Sequence, residues 1–377
     1  MLLSEIFPPI TTPFYPDGDV YYKKLEANVE RYSRTPIAGI VVLGSTGEAI
    51  LLSDQERRDV LKAALAAAAP NKVMIAGTGI ESAHETLRLT EYAAVLGYDA
   101  ALVRTPHYYK KQMLPANLLA FYRTVADRSA LPIIIYNFPQ ATGYDIPAEV
   151  VIELANHPNI VAIKESSGDL DKVKRMVEGT RHVKRQATVT ERFDAVTPRM
   201  LKAAAAESKK QSRELLSVAS LAGSIEAAAE SMEGRIPLPV HEGSTTKPSS
   251  SAVTVVGKLK TRQKEVGFQV MVGAAHQLEP SLELGAVGAI LAFACPAPGA
   301  CYEIYAAFKD GDNALAREKQ ERVKLAAQRV VGELGVPGVK YSMDLNGYYG
   351  GPSRLPFLPL TGGQRVEIEK LMAGIRS

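Results

Sequence analysis

The chain has 377 residues, of which 46% are hydrophobic and 23% charged, and its formal net charge is +3. This balance is typical of a globular protein, and the net charge is too small to indicate a nucleic-acid partner. No apolar run approaches the length of a membrane-spanning helix, so we expect no membrane association. The length suits an α/β barrel that carries an insertion.

The first residues and the cysteines bear on the compartment and on metal binding. The N-terminal residues lack the basic region that opens a signal peptide and already carry an acid at Glu5, so we expect a cytoplasmic protein. The two cysteines, Cys295 and Cys301, are then expected to be reduced thiols. The six histidines do not cluster to supply zinc ligands, and we predict no metal site.

Short apolar runs rich in β-branched residues alternate with amphipathic stretches along the chain. Such runs are typical of parallel strands buried on both faces. The predicted strands are Phe7–Thr12, Gly39–Leu43, Val73–Ala76, Ala100–Val103, Ile133–Tyr136, Ile160–Ile163, Phe268–Val272 and Val287–Ala292. Eight strand–helix units predict a closed (β/α)8 TIM barrel, and a doubly wound open sheet is the alternative.

Helix signals lie between these runs. Residues 53–56 and 82–85 have the pattern of a capping box, which marks the start of a helix. The predicted helices are Glu56–Ala69, Glu85–Leu96, Asp169–Gly179, Tyr302–Phe308, Ala314–Leu334 and Glu367–Gly374. The last three form a C-terminal helical region that follows the barrel.

One segment, residues 182–264, interrupts the alternation. It holds 14 Lys and Arg against 8 Asp and Glu, and it contains an Ala-rich helical pattern, Pro198–Glu233, followed by a Pro- and Ser-rich stretch. Because it lies between a barrel helix and the next strand, we expect it at the N-terminal face, remote from the active site. We also expect it to be tied to the barrel only at its ends. Packing on a partner subunit and absence from the natural functional product are the alternatives.

The predicted organisation has four parts along the chain. Residues 1–181 form the first part of the barrel, and residues 265–300 complete it. Residues 182–264 are a basic, partly helical insertion, and residues 301–377 are the C-terminal helical region.

Polar groups follow the predicted strands at the end where a barrel keeps its catalytic groups. The second strand runs into GSTGE (44–48), whose exposed N–H groups and hydroxyls suit a carboxylate, although a plain tight turn is the alternative. The fourth strand runs into TPHYY (105–109), and the fifth ends in YNFP (136–139). The sixth ends in KESSG (164–168).

Lys164 is the most informative of these residues. A lysine that ends a buried strand has apolar surroundings, which favour its neutral form, and a neutral amine can attack a ketone to form a Schiff base. The alternative is an ordinary lysine that reaches solvent and pairs with Glu165. Tyrosines on two neighbouring strands favour the first interpretation, because imine chemistry needs proton transfer.

The motifs GSTGE, TPHYY, YNFP and IKESSGD, in this order at strand ends, resemble the dihydrodipicolinate synthase / N-acetylneuraminate lyase family of class I aldolases. The resemblance covers residues 4–181 and 265–362, and the tail from Gly335 to Pro356 looks most like 4-hydroxy-2-oxoglutarate aldolases. It implies a TIM barrel that binds a small 2-oxo acid through a lysine and uses an aldehyde as the second substrate. It also implies a homo-oligomer, a dimer or tetramer, and no metal or organic cofactor.

The resemblance implies catalytic roles for three residues. Lys164 falls on the Schiff-base lysine of the family. Tyr136 falls on the phenol that relays protons at the imine carbon. Tyr108 falls on the tyrosine that a neighbouring subunit completes into a hydrogen-bonded relay.

Substrate-binding roles are implied at two other strand ends. Ser45 and Thr46 fall on the hydroxyl pair that faces the pyruvyl carboxylate, with Gly47 beside them, and Ser166 falls on a serine that contacts the second half of the substrate in hydroxyoxoglutarate aldolases. Lysine-pathway synthases carry an arginine where this chain has Ala141, and an alanine cannot pair with a carboxylate. This argues against lysine biosynthesis and leaves the second substrate open. The resemblance of the tail implies cleavage of 4-hydroxy-2-oxoglutarate or a related 2-keto-3-deoxy sugar acid. A 4-hydroxy-tetrahydrodipicolinate synthase, a sugar-acid dehydratase and a non-catalytic barrel are the alternatives.

Overall fold

The computed structural model describes residues 1–210 and 253–375. Its strands are β1 (Glu5–Phe7), β2 (Gly39–Val42), β3 (Val73–Gly77), β4 (Ala100–Arg104), β5 (Ile133–Asn137), β6 (Ile160–Glu165), β7 (Arg185–Thr190), β8 (Thr254–Val256), β9 (Leu259–Val266), β10 (Gln269–Val272) and β11 (Gly288–Ile290). Eight of them form one parallel sheet in the order β1-β11-β10-β6-β5-β4-β3-β2. Val41 exchanges backbone hydrogen bonds with Pro8 (3.0 Å) and Ile10 (2.9 Å), which joins the two ends of the sheet into a barrel. The predicted TIM barrel is confirmed.

The first strand differs most from its prediction. It ends at Phe7, whereas the sequence pattern placed a strand over Phe7–Thr12. Pro8 and Pro9 have no backbone N–H to donate to a ladder, so regular pairing stops there. Only an isolated parallel bridge between Pro9 and Val41 continues it.

Helices surround the barrel on its outer side. In the described residues they are α1 (Tyr22–Ser33), α2 (Asp54–Ala67), α3 (Ala83–Leu96), α4 (Pro115–Arg128), α5 (Pro139–Thr142), α6 (Ala148–Leu154), α7 (Leu170–Gly179), α8 (198–210), α9 (Leu278–Glu283), α10 (Pro298–Lys309), α11 (Asn313–Ala327), α12 (Gly335–Leu345) and α13 (Gly362–Met372). The side chain of Ser53 accepts a hydrogen bond from the N–H of Glu56 at the start of α2, and Ser82 does the same at the start of α3. Both helices therefore begin directly after the capping serine, two residues before their predicted starts.

The C-terminal helices also begin earlier than predicted. Helix α10 starts at Pro298, whose fixed φ suits a first turn, and α13 starts after Thr361, which forms a complete capping box with Gln364. The predicted single helix Ala314–Leu334 is α11 followed by a π-helical turn, Gln328–Glu333. Regular α-helical bonding thus ends before the predicted boundary.

Alternation along the strands divides the apolar side chains between two layers. Leu102 on β4 packs inside the barrel with Phe7, Ile134 and Met271. Its neighbour Val103 belongs to the larger layer between strands and helices. Because successive side chains point to opposite faces, every second residue of a strand faces the barrel interior. Polar residues that end a strand on this inward face therefore reach the mouth of the barrel.

Residues 182–264 contribute a small sheet that the sequence pattern did not predict. Strands β7, β9 and β8 pair antiparallel in that order. Ala187 and Val189 of β7 are buried against Leu2, while Thr188 between them is partly exposed. This alternation has only two apolar residues, which is too short a signal to separate a strand from a polar loop.

The same segment is attached to the barrel by more than its ends, so the expectation of a loosely tethered appendage is wrong. The guanidinium of Arg199 on α8 donates to the carbonyl oxygen of Lys72 and lies 3.4 Å from the carboxylate of Asp99. Met200 packs with the apolar side chains inside the barrel. Arg185 donates to the carbonyl of Ile160 (2.7 Å) and to two further carbonyls. These contacts lie at the N-terminal ends of strands, where the segment covers the floor of the barrel.

This packing predicts a structural role for Met200. Met200→Ala should lower the free energy of unfolding by about 2 kcal/mol, because the truncation leaves a cavity beside buried side chains. Lys202→Ala, on an exposed position of the same helix, is the matched control and should change stability by less than about 0.5 kcal/mol. Urea denaturation followed by circular dichroism measures both, and equal small effects would contradict packing of Met200 on the barrel.

Part of the predicted insertion lies outside the described residues. The predicted helix Pro198–Glu233 begins at residue 198 as expected, but its part beyond 210 and the Pro- and Ser-rich stretch to residue 252 lie outside the described residues. Among residues 1–210 and 253–375, no helix combines the length and the apolar character that crossing a membrane requires.

The predicted free thiols are confirmed. Cys295 and Cys301 form no disulfide and are buried, and burial raises the pKa of the Cys301 thiol to about 12.

Candidate active site

Two of the predicted residues lie side by side on neighbouring strands. Tyr136 of β5 and Lys164 of β6 are paired in register, and each side chain is about 4% exposed. Nζ of Lys164 lies 4.2 Å from the centroid of the Tyr136 ring. The parallel register places both groups at one height, because residues paired across strands point to the same face.

The turn after β2 completes this cluster. Ser45, Thr46 and Gly47 form a single 3-10 turn that follows the strand. The hydroxyl of Tyr136 donates to Oγ of Ser45 at 3.3 Å, so the turn touches the tyrosine. A Cβ atom at Gly47 would lie 3.0 Å from the carbonyl oxygen of Ile10, so the close approach of two backbones favours glycine there. The structure thus brings together Lys164, Tyr136 and the turn Ser45–Gly47, which was predicted to bind a carboxylate.

Glu165 does not pair with Lys164, because consecutive strand residues point to opposite faces. The Glu165 carboxylate accepts hydrogen bonds from the side-chain amide of Asn137 (2.9 and 3.0 Å) and from the N–H of Ser167 (2.6 Å). It also lies 3.3 Å from the ammonium of Lys172, itself buried. Among residues 1–210 and 253–375, no carboxylate lies within ion-pair distance of Lys164. The solvent-exposed, paired lysine that was the alternative is therefore excluded.

The Glu165 carboxylate, on the outer face, also fixes the strands that carry Tyr136 and Lys164 to each other. Asn137 follows Tyr136, and Glu165 follows Lys164, so their hydrogen bonds join β5 to β6 directly beside the site. The sequence motifs did not predict this role for Asn137, Glu165 and Lys172. Strict alternation along β6 was the signal that could have assigned Glu165 to the outer face.

Tyr108 lies apart from this cluster. Its side chain is 75% exposed, and its ring packs edge-to-face against Tyr109 with centroids 5.1 Å apart. The Glu81 carboxylate holds the loop by accepting the backbone N–H groups of His107 (2.9 Å) and Tyr108 (3.0 Å). The same carboxylate contacts the guanidinium of Arg104 at 3.5 Å and the ring of His107. Burial and the Arg104 guanidinium lower the pKa of His107.

Ser166 lies two residues after Lys164, on the same face of the chain. Its hydroxyl oxygen is buried and has no hydrogen-bond partner within the described part of the chain. A Cβ atom at Gly273, at the end of β10, would lie 1.9 Å from this oxygen. The glycine therefore leaves room for a hydroxyl that is free to bind another group.

A cavity of about 320 Å³ lies beside the Tyr136–Ser45 hydrogen bond. Its lining includes Arg57, Glu81 and Arg104, none of which stands in the motifs that identified the site. Arg104 could have been found from sequence, because it keeps the inward alternation of Leu102 on β4. Nothing in the sequence near Glu81 indicates that it braces the loop after β4.

Comparisons with known proteins agree with this arrangement. The sequence model described as the dihydrodipicolinate synthetase family matches residues 2–208 and 246–374. A 4-hydroxy-tetrahydrodipicolinate synthase of Methanothrix thermoacetophila is 28% identical over 371 residues, which are 98% of this chain and 96% of that protein. The crystal structure of the dihydrodipicolinate synthase DapA-2 from Bacillus anthracis has a TM-score of 0.73 at 21% identity and covers 99% of both chains.

A second solved structure is YagE of E. coli K12, a prophage protein of the dihydrodipicolinic acid synthase family in complex with pyruvate. It has a TM-score of 0.71 at 22% identity and covers 100% of this chain and 99% of that chain. The special resemblance to 4-hydroxy-2-oxoglutarate aldolases is not confirmed by these matches, which are to synthases and to the family as a whole. The family itself is shown over both parts of the barrel. The chain therefore belongs to the dihydrodipicolinate synthetase family and is a carbon–carbon lyase of the Schiff-base aldolase type.

Proposed function

We propose that Lys164 forms the Schiff base with the 2-oxo group of a pyruvate unit. The observation that carries this proposal is the buried amine of Lys164, which lacks a carboxylate partner in the described residues and lies 4.2 Å from the ring centroid of Tyr136. A primary amine buried beside a tyrosine is the kind of nucleophile that adds to a ketone to form an imine. A family member with this fold, YagE, has been crystallised with pyruvate.

The reaction follows from these two side chains. The amine of Lys164 adds to the C2 ketone, Tyr136 donates a proton to the C2 hydroxyl, and water leaves to give a protonated imine. This imine accepts the electrons of the C3–C4 bond as that bond breaks. The C4 hydroxyl returns a proton to Tyr136, the aldehyde departs, and an enamine remains. That proton then goes to C3, and water releases pyruvate from Lys164.

The surrounding groups orient the substrate. We place the C1 carboxylate at the hydroxyls of Ser45 and Thr46, beside the backbone of Gly47. The hydrogen bond from Tyr136 to Ser45 supports this, because it puts the carboxylate end next to the proton carrier. Ser166, with its unpartnered hydroxyl, is placed against the second half of the substrate. Binding groups in fixed positions hold the substrate in a reactive orientation before the chemical step.

We further propose a homo-oligomer, a dimer or a tetramer, in which Tyr108 acts in the site of a neighbouring subunit. Its 75% exposed side chain lies on a loop that Glu81 holds at the backbone, so the tyrosine is fixed in place but faces outward. A hydroxyl in this position can reach another subunit more readily than its own Lys164. The partners are thus a 2-oxo acid, an aldehyde and further copies of the chain.

The second substrate divides two candidate functions. Relatives named 4-hydroxy-tetrahydrodipicolinate synthase favour condensation of pyruvate with aspartate semialdehyde. Ala141, on the short helix α5, argues against that synthase, because a methyl group cannot bind the far carboxylate of aspartate semialdehyde. The aldehyde half of a 2-keto-3-deoxy sugar acid carries no carboxylate, and that of 4-hydroxy-2-oxoglutarate is attached directly to C4, on the half of the substrate where Ser166 is placed. We propose the aldolase as the main activity, with the synthase and a sugar-acid dehydratase as alternatives.

Acceptor specificity tests this choice. Cleavage of 4-hydroxy-2-oxoglutarate or of a 2-keto-3-deoxy sugar acid should have a kcat/KM at least about tenfold higher than condensation with aspartate semialdehyde. The far carboxylate of aspartate semialdehyde would lack the charge-assisted hydrogen bond that an arginine at position 141 could make, and such a loss costs that much or more. Comparable values would contradict the proposal. In that case Lys110→Ala is the variant to test, because Lys110 reaches the chain close to Ala141. Its ammonium lies 2.9 Å from the position of a Cβ atom built on Gly143, two residues beyond Ala141.

The proposed function as a whole is tested by borohydride reduction of the protein in the presence of pyruvate. Reduction fixes an imine as a stable amine, so mass spectrometry should find a pyruvate adduct on the peptide that contains Lys164. Absence of any adduct at saturating pyruvate would favour the non-catalytic barrel. A screen of aldehydes with the same protein then identifies the second substrate.

A further inference from the structure

A buried ion pair lies behind the proposed carboxylate turn. The ammonium of Lys340, on α12, is 2.5 Å from Oε1 of Glu48, and the two side chains are about 1% and 0% exposed. Glu48 directly follows Ser45–Gly47 and has a left-handed backbone conformation (φ 54°). This conformation is unfavourable for a residue with a side chain, so tertiary contacts hold it.

Further hydrogen bonds connect this pair to both flanks of the turn. Lys340 donates to the carbonyl oxygens of Thr12 (2.9 Å) and Pro352 (2.8 Å). The hydroxyl of Thr12 donates to the carbonyl of Gly47 at 2.6 Å, and Oε2 of Glu48 accepts the N–H of Arg354 at 2.8 Å. The turn is thus held on one side by the loop after β1 and on the other by the segment after α12.

Burying this ion pair costs free energy, and it also restricts the positions that the two side chains can take. Moving a carboxylate and an ammonium out of water is unfavourable, and their attraction offsets it only when the geometry and the remaining hydrogen bonds are good. Lys340 contacts one carboxylate and donates to two carbonyl oxygens, and Oε2 of Glu48 accepts a backbone N–H. A charged network of this kind permits few alternative positions for Glu48, whereas apolar side chains of similar size would permit several.

We propose that Lys340 and Glu48 are positioning residues that hold Ser45 and Thr46 in place to bind the substrate carboxylate, so the C-terminal helical region is part of the active site. This inference rests on the proposed function, in which that turn binds the C1 carboxylate. Lys340 does not touch the substrate; it acts through Glu48 and through Thr12, whose hydroxyl holds Gly47. Loosening the turn should therefore weaken pyruvate binding more than it slows the chemical step at Lys164.

The test compares Lys340→Met, Glu48→Gln and the double variant K340M/E48Q with the parent protein. Each single change leaves one buried charge or dipole without its partner, whereas the double change removes both charges and should regain most of the lost thermal stability. In the double variant we expect the pyruvate concentration for half-maximal borohydride trapping to rise about tenfold or more, with kcat within a few-fold of the parent. Half-maximal trapping at the parent's concentration in a stable double variant would overturn the proposal.

Two further variants complete the test, one as a control and one as a substitute if the double variant does not fold. Lys72→Met is the matched control, because Lys72 is also buried and donates to two carbonyls, of Thr35 and Ile37, but at the opposite end of the barrel. It should lower the melting temperature without changing the half-maximal pyruvate concentration. If the double variant fails to fold, Thr12→Val removes only the hydroxyl bond to Gly47, and it should raise that concentration; no rise would overturn the proposal. A parent protein that gives no adduct refutes the proposed function instead.

Discussion

Lys164→Ala is expected to lose both turnover and the borohydride-trapped pyruvate adduct. The proposed imine forms on the primary amine at the end of β6, beside Tyr136, and an alanine at position 164 supplies no amine there. Turnover should therefore fall to the level of the buffer reaction, a loss of many orders of magnitude. The adduct is measured by intact-protein mass spectrometry after reduction with saturating pyruvate.

The same variant is expected to lose activity without losing stability. Lys164 is a buried amine without a carboxylate partner in the described residues, so its removal relieves a desolvated polar group. The melting temperature of Lys164→Ala should therefore equal or exceed that of the parent, as is common when a polar group that is buried for function is removed. Lys174→Ala, at an exposed position of α7, is the control that should keep full trapping. An adduct that persists in Lys164→Ala would assign the Schiff base to another lysine.

Tyr136→Phe is expected to reduce kcat by roughly 10²–10⁴-fold, the usual contribution of a positioned general acid–base group. The ring still packs beside Lys164, but the hydroxyl that donates to Ser45 at 3.3 Å is gone. The adduct should still form at saturating pyruvate, though more slowly, because Lys164 is intact. Single-turnover trapping and steady-state cleavage separate these two effects.

Tyr98→Phe is the matched control for this change. Tyr98 is buried and its hydroxyl donates to the carbonyl of Leu61 at 2.8 Å, so the variant loses one buried hydrogen bond outside the site. It should lose about 1 kcal/mol of stability and keep kcat within a few-fold. A kcat of Tyr136→Phe that matches the parent would remove Tyr136 from the proton-transfer steps.

Local patterns in the sequence were sufficient for the barrel and for much of the site. Buried strands are short apolar runs, and capping serines such as Ser53 mark helix starts, so each element is encoded within a few neighbouring residues. Lys164, Tyr136 and Ser45 could be proposed together because strand ends of a parallel barrel meet at one face. The structure brings these three side chains into one cluster.

Contacts between residues distant in sequence could not be predicted in this way. The pairing of Glu165 with Lys172, the buried pair of Glu48 and Lys340, and the packing of Met200 on the barrel floor are each set by which elements the topology makes neighbours. Hydrophobic periodicity and capping report only on local conformation and on which face is buried. The sequence by itself thus determined the barrel and the candidate Schiff-base lysine. Only the tertiary structure decided which charges are paired, because a buried charge takes its partner from whatever the fold places beside it.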